Sequence, residues 1–162
     1  MKKWIVWITV FLMLTGCGAE PAMETVADVM AMPAVPEPRA IAVALPGETS
    51  MPAMESDAGR SYMASDYEIC IQTVTGGDLD ATVQTMSGFS ADELTLVTTQ
   101  SGDLKRHDFV WAAAGEGGDL LGRGVILDDG IYHYTMAVLR NAHPADGSAV
   151  VWDGVFSSFR LV

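Results

Sequence analysis

Residues 93 to 139 are a succession of β-branched, aromatic and small apolar residues, interrupted at short intervals by glycine beside aspartate or glutamate. Interruptions of that kind turn a chain tightly, so this stretch is restricted to short strands folded back on one another. "ELTLVTT" (93–99) and "HDFVWAAA" (107–114) are expected strands separated by a turn around Ser101-Gly102-Asp103, and "GEGGD" (115–119) is an expected second turn. "LLGRGVILDDGIYHYTMAVL" (120–139) is the clearest element of the chain. Its centre, Asp129-Gly130, is a preferred pair for a type I′ hairpin corner, and β-branched and aromatic residues flank it.

Upstream, "AIAVALP" (40–46) is a short β-type run closed by the turn dipeptide Pro46-Gly47, and a polar loop is expected from there to Gly59. "RSYMASDYEICIQTV" (60–74) reads as two strands around Ser65-Asp66, with Tyr67, Ile69, Ile71 and Thr73 alternating onto one face. "GGDLDATVQTMSGF" (76–89) reads as a helix. Asp78 can cap its free amides, Leu79, Val83 and Met86 form a stripe, and Gly88 supplies the stop. The final "SAVVWDGVFSSFRLV" (148–162) follows Pro144, with Ser148 as a cap and Trp152, Val155, Phe156 and Phe159 at helical spacing, so a terminal helix should seal the sheet. The expected class is α+β: a mostly antiparallel sheet of about six to seven strands packed with two helices.

This pattern resembles the PsbP/DcrB-like family over residues 38–162. The likeness lies in the early "ALPG" strand and turn, the central helix, the hairpin "GIYHY" and the closing aromatic "FSSFRL". The resemblance implies a sandwich of that type. It also implies a binding or assembly role, because the family includes bacterial lipoproteins and extrinsic proteins of photosystems.

The chain has 162 residues, and its first third differs in character from the rest. One globular domain behind a leader is the natural reading, with residues 1–16 as signal, 17–38 as tether and 39–162 as the domain. Apolar residues make up 49%, enough for a core. The formal net charge of −12 repels phosphate backbones and anionic lipid alike, so neither nucleic acid nor a polybasic membrane contact is expected.

The leader answers the question of attachment in another way. Lys2 and Lys3 precede an apolar run from Trp4 to Leu14, 11 residues long. Crossing a bilayer takes about 20 apolar residues, so this run suits a signal peptide and not a spanning helix. It ends Leu14-Thr15-Gly16-Cys17, which resembles the lipobox of bacterial lipoproteins. The resemblance implies cleavage between Gly16 and Cys17, a diacylglycerol on the Cys17 thiol, and acylation of the new amino group. Two or more acyl chains anchor durably, at about 0.8 kcal/mol per buried methylene. Removing Lys2 and Lys3 takes the formal charge from −12 to −14. Gly18 stands where an aspartate retains enteric lipoproteins in the inner membrane, so the outer membrane of a bacterial envelope is the expected location. The alternative is an ordinary signal peptide with an incidental cysteine.

Residues 18–37 hold Pro21, Pro33 and Pro36 with Glu20, Glu24, Asp28 and Glu37, and no base. Such a segment suits an extended, solvated spacer, with a partner-binding segment that folds on contact as the alternative. Met23, Met30, Met32, Met51 and Met54 raise soft-metal capture, but they lack a repeated M-x-x-M pattern with histidines.

Residues able to do chemistry are few. With Cys17 acylated, Cys70 is alone in the mature chain and no intramolecular disulfide is possible; a buried inert thiol is expected, a reactive one being the alternative. His107, His133 and His143 show no zinc-hydrolase spacing, although His107 and His133 could approach across neighbouring strands beside Asp108 as a metal pair. Ser157-Ser158 reads as packing and not as a nucleophile, and Gly115, Gly117 and Gly118 as turn glycines with no phosphate-binding lysine behind them. No catalytic residue, metal or cofactor is therefore expected. The leading expectation is a lipid-anchored, non-catalytic module with a protein partner. The alternatives are an enzyme of unrecognised type, and a carrier or sensor with a cavity lined by Trp111, Tyr132 and Tyr134.

Overall fold

The computed structural model describes residues 34–47, 51–115, 118–142 and 148–162. The chain divides into two units, Met1–Pro36 and Glu37–Val162, and every element below belongs to the second. In chain order these are β1 (Ile41–Ala42), β2 (Met54–Ser56), β3 (Gly59–Met63), β4 (Tyr67–Thr75), α1 (Leu79–Ser87), a 3-10 turn (Ala91–Glu93), β5 (Val97–Ser101), β6 (Leu104–Gly115), β7 (Gly118–Asp128), β8 (Tyr132–Asn141), α2 (Ser148–Ser158) and β9 (Arg160–Leu161). The class is α+β, as the sequence leads one to expect.

Seven strands form one antiparallel sheet in the order β2-β3-β4-β8-β7-β6-β5. After β4 the chain crosses one face through α1, starts again at the far edge, and returns strand by strand until β8 lies beside β4. The alternation within each strand sorts side chains onto two cores. One face carries Ile69, Ile71, Val125 and Met136, sealed by Trp152, Val155, Phe156 and Phe159 of the α2 segment. The other carries Phe109, Trp111 and Ile126, sealed by Val83 of α1. The central strands are covered on both faces, which explains the nearly continuous apolar character of β7 and β8.

α1 begins and ends where its sequence requires. The Asp78 carboxylate accepts the amide of Ala81 at 3.1 Å, and Gly88 takes the left-handed conformation at φ 82° while donating its amide to Gln84.

Four expectations need correction. First, strand structure in "ELTLVTT" starts only at Val97, because Ala91–Glu93 forms a 3-10 turn in which the Ser90 amide donates to the Glu93 carboxylate at 2.9 Å. Second, the expected loop before Gly59 contains β2, which pairs with β3 and is exposed throughout. Third, Asp129-Gly130 is not a type I′ corner. Gly130 has φ 85°, but among the described residues no residue other than glycine has positive φ. Asp129 instead uses its carboxylate, accepting the amides of Ile131 at 3.0 Å and Tyr132 at 2.7 Å and the hydroxyl of Tyr134 at 2.9 Å. Fourth, the closing helix stops at Ser158, short of Phe159. The Arg106 guanidinium donates to the carbonyls of Phe156 at 3.0 Å and Phe159 at 3.4 Å, holding the last turn. The chain then extends into β9, which pairs with β1, so "AIAVALP" contributes two residues to a separate two-stranded ribbon and none to the main sheet.

Candidate functional site

Polar side chains collect at two places inside the domain, one under each helix. Under α1 lie the two histidines singled out by the sequence. His107 on β6 and His133 on β8 both project to the α1 face with β7 between them, so they are not on neighbouring strands. Both are buried, at 5% and 2% exposure. The His107 Nδ1 lies 2.9 Å from the Thr98 hydroxyl, and the His133 Nδ1 lies 2.8 Å from the Thr82 hydroxyl, so each ring is tied to a peripheral element, β5 or α1. Asp128, on the intervening strand, places Oδ1 3.8 Å from His133 Nε2. Asp108, named as their neighbour, projects to the opposite face, where it accepts a two-pronged contact from Arg106 at 2.7 and 3.1 Å. Among the described residues no group of three or more histidine, cysteine, aspartate or glutamate side chains is arranged to hold a metal ion. His143 lies outside the described residues.

His107 has an electrostatic peculiarity: its Nε2 is enclosed with no hydrogen-bond partner. Burial lowers its pKa below the ordinary 6.5, His133 and Lys105 push in the same direction, and Asp128 and Asp108 oppose them. The folded state therefore holds a neutral ring that the unfolded state protonates below about pH 6.5. Stability from this group is full above that pH and is lost as pH falls through the folded-state value. The thermal midpoint is expected to drop as pH falls below about 6.5, and His107→Gln should flatten that slope. Melting curves across the pH range check both statements; an equal slope in the variant would assign the effect to other groups.

The second collection lies under α2. Arg123 stacks over the Phe156 ring at 4.1 Å, pairs with Asp153 at 3.0 Å and approaches Asp108 at 3.8 Å. With the Arg106 contacts this cluster fastens α2 to β6 and β7. The sequence holds a weak sign of it, since Arg123 interrupts the apolar run from Leu120 to Leu127.

Other sequence candidates are separated by the fold. Trp111 belongs to the core under α1, whereas Tyr132 and Tyr134 belong to the core under α2, so the three do not line a common cavity. Tyr134 is fully buried, and its hydroxyl accepts the Arg39 amide at 2.9 Å while donating to Asp129. Burial, with the Asp129 hydrogen bond, raises its pKa. Cys70 is half-buried, short of the full burial expected, and lines a groove of about 170 Å³ with Glu68, Thr85 and Met86. Burial and then Glu68 push its thiol pKa up, away from nucleophilic character. The Ser157 hydroxyl donates to Gly154 and the Ser158 hydroxyl to Val155, contacts internal to the helix. Gly115 ends β6 and Gly118 opens β7, while Gly117 lies outside the described residues. Gly16, Cys17 and the methionines Met23, Met30 and Met32 also lie outside them; Met51 and Met54 are exposed. No helix among the described residues is long and apolar enough to cross a membrane.

No protein-family model, no curated protein and no solved structure matches the chain.

Proposed function

We propose that this protein is a bacterial lipoprotein whose globular unit is a non-catalytic binding or assembly module, held at the cell envelope by lipid on Cys17. The observation that carries the reading is Leu14-Thr15-Gly16-Cys17 directly behind an apolar run of 11 residues that begins after two lysines. That run is too short to span and ends in a nucleophile flanked by small residues, the chemistry that acylation and cleavage require. A surface of net charge −12 gives no electrostatic hold on anionic lipid, so attachment falls to the acyl chains. Gly18 favours the outer membrane.

The non-catalytic part of the reading draws support from how the polar side chains are used. His133 fastens α1, Asp129 the turn before β8, and Arg106 and Arg123 fasten α2, while His107 ties the edge strand β5 to the sheet. A PsbP/DcrB-like sandwich is part of the same proposal, supported by two helices on opposite faces of an antiparallel sheet and by an aromatic closing helix that leads into Arg160-Leu161.

The test is Cys17→Ala in a bacterial host fed a radiolabelled fatty acid. The parent is expected to take up label, lose its leader and enter the detergent phase. The variant is expected to take up no label and to remain unprocessed or leave the membrane. Normal processing and attachment in the variant would end the lipoprotein reading.

A further inference from the structure

β5 is held to the sheet from one side. It lies at an edge, pairs with β6 over Val97–Ser101 and is exposed at all five positions, so neither buried core depends on it. One of its side chains reaches inward: the Thr98 hydroxyl meets His107 Nδ1 at 2.9 Å, directly across the β5–β6 ladder. The His107 ring is buried, and its Nε2 is shut off from solvent without a partner.

That arrangement suits a neutral ring and not a charged one. In either neutral tautomer Nδ1 is matched by the hydroxyl, which donates or accepts as required. The imidazolium carries an N–H at both nitrogens, and at Nε2 the closed structure offers no acceptor. An enclosed charged donor left unmatched is strongly unfavourable. The charged groups around the ring do not relieve it. Asp128 of β7 accepts the Gly130 amide at 2.8 Å and stands 3.8 Å from Nε2 of His133 on β8. Lys105 of β6 repels a second cation, and Asp108 lies on the opposite face, gripped by Arg106. β5 itself has no ionisable side chain. In α1 and the turn after it, Asp78 accepts the Ala81 amide, Asp80 the Ala91 amide, Glu93 the Ser90 amide and Asp92 the Ser90 hydroxyl. Water is the acceptor that remains, and it reaches Nε2 only when an element around the ring moves. β5 is the element that can leave without opening a core.

We propose that β5 is an acid-released latch: when His107 takes a proton, the strand leaves β6, water solvates the imidazolium, and the rest of the sheet stays folded. Release bares the β6 backbone from Leu104 to Asp108. The inference goes beyond envelope attachment and does not depend on Cys17. It is also narrower than the pH dependence of overall stability, because one edge strand opens at a smaller cost than the whole domain.

The test is amide hydrogen exchange of the full chain, read by mass spectrometry at pH 7.5 and 5.5 and corrected for the intrinsic rate at each pH. The released ring titrates near its ordinary 6.5 while the closed ring stays neutral, so β5 protection should fall about tenfold between the two. Protection in β4 and β8 should hold. His107→Gln should abolish the β5 response. Thr98→Val, at an exposed position, should loosen β5 at both pH values and keep the tenfold response. Unchanged β5 protection in the parent, an equal response in His107→Gln, loss of the response in Thr98→Val, or a matching fall in β4 and β8 would overturn the proposal.

Discussion

Cutting Phe156 back to alanine is expected to destabilise the domain by about 3–5 kcal/mol, the usual cost of removing a buried aromatic ring. The ring is 2% exposed, lies beneath the Arg123 guanidinium and belongs to the same core as Val125, Met136 and Val138. Its loss opens a void between helix and sheet and removes the surface on which Arg123 rests. A domain of this size has about 5–15 kcal/mol in total, so the loss is a large fraction of what holds it folded. Trp152→Ala should behave in the same way, because that ring is 8% exposed and also meets Tyr67 edge-on. Asp153→Ala is the contrast. Its side chain is 77% exposed, and its loss removes one surface ion pair, worth under about 1 kcal/mol. Urea unfolding followed by circular dichroism separates the cases: the aromatic variants should shift the midpoint strongly or fail to fold, and Asp153→Ala should track the parent. Three superimposable curves would mean that α2 does not close the core.

How far this architecture was legible depended on the range of the interactions concerned. The hairpin of β3 and β4, the capped helix α1 and the strands β6 to β8 follow local rules. Alternation in Tyr67, Ile69 and Ile71, a capping aspartate at 78 and a stop glycine at 88 act within a few residues of themselves. Part of what escaped was decided by partners distant in sequence. Arg106 ends α2 from 50 residues away, and Ile41–Ala42 pairs only because Arg160–Leu161 returns to it. The Asp129 corner was misread although its partners are near in sequence: its carboxylate is occupied by the amides of Ile131 and Tyr132 and by Tyr134, and pair statistics carry no such contact. The candidate sites divide in the same way. His107 and His133 were visible as residue types, but their separation by β7 and their threonine partners depend on strand order.

The second large effect is expected from a single methyl group. Gly122→Ala should destabilise the domain by about 1–3 kcal/mol or more, although exchanging glycine for alanine within a strand ordinarily gains about 0.5–1 kcal/mol. The sign reverses because Gly122 faces Trp111 across the β6–β7 ladder and the indole lies flat over it. A Cβ there would overlap Trp111 Cε2 and Cδ2, well inside contact distance. The indole has nowhere to retreat. It is 5% exposed and stacks at 5.6 Å on Phe109, which covers Gly124 in the same way, and the fully buried Val83 of α1 belongs to the same core. Moving one ring therefore moves the second ring and the helix above it. Gly154, in α2, supplies the opposite case: nothing lies within 4 Å of its missing Cβ and it is exposed, so Gly154→Ala should stabilise by about 0.5–1 kcal/mol. Adding Trp111→Leu to Gly122→Ala should recover part of the loss, because a smaller side chain vacates the space the methyl needs; on its own, Trp111→Leu should destabilise. The four denaturant midpoints of that cycle measure the coupling between positions 111 and 122 directly. Purely additive effects would mean that the indole and the glycine do not share the space the structure gives them.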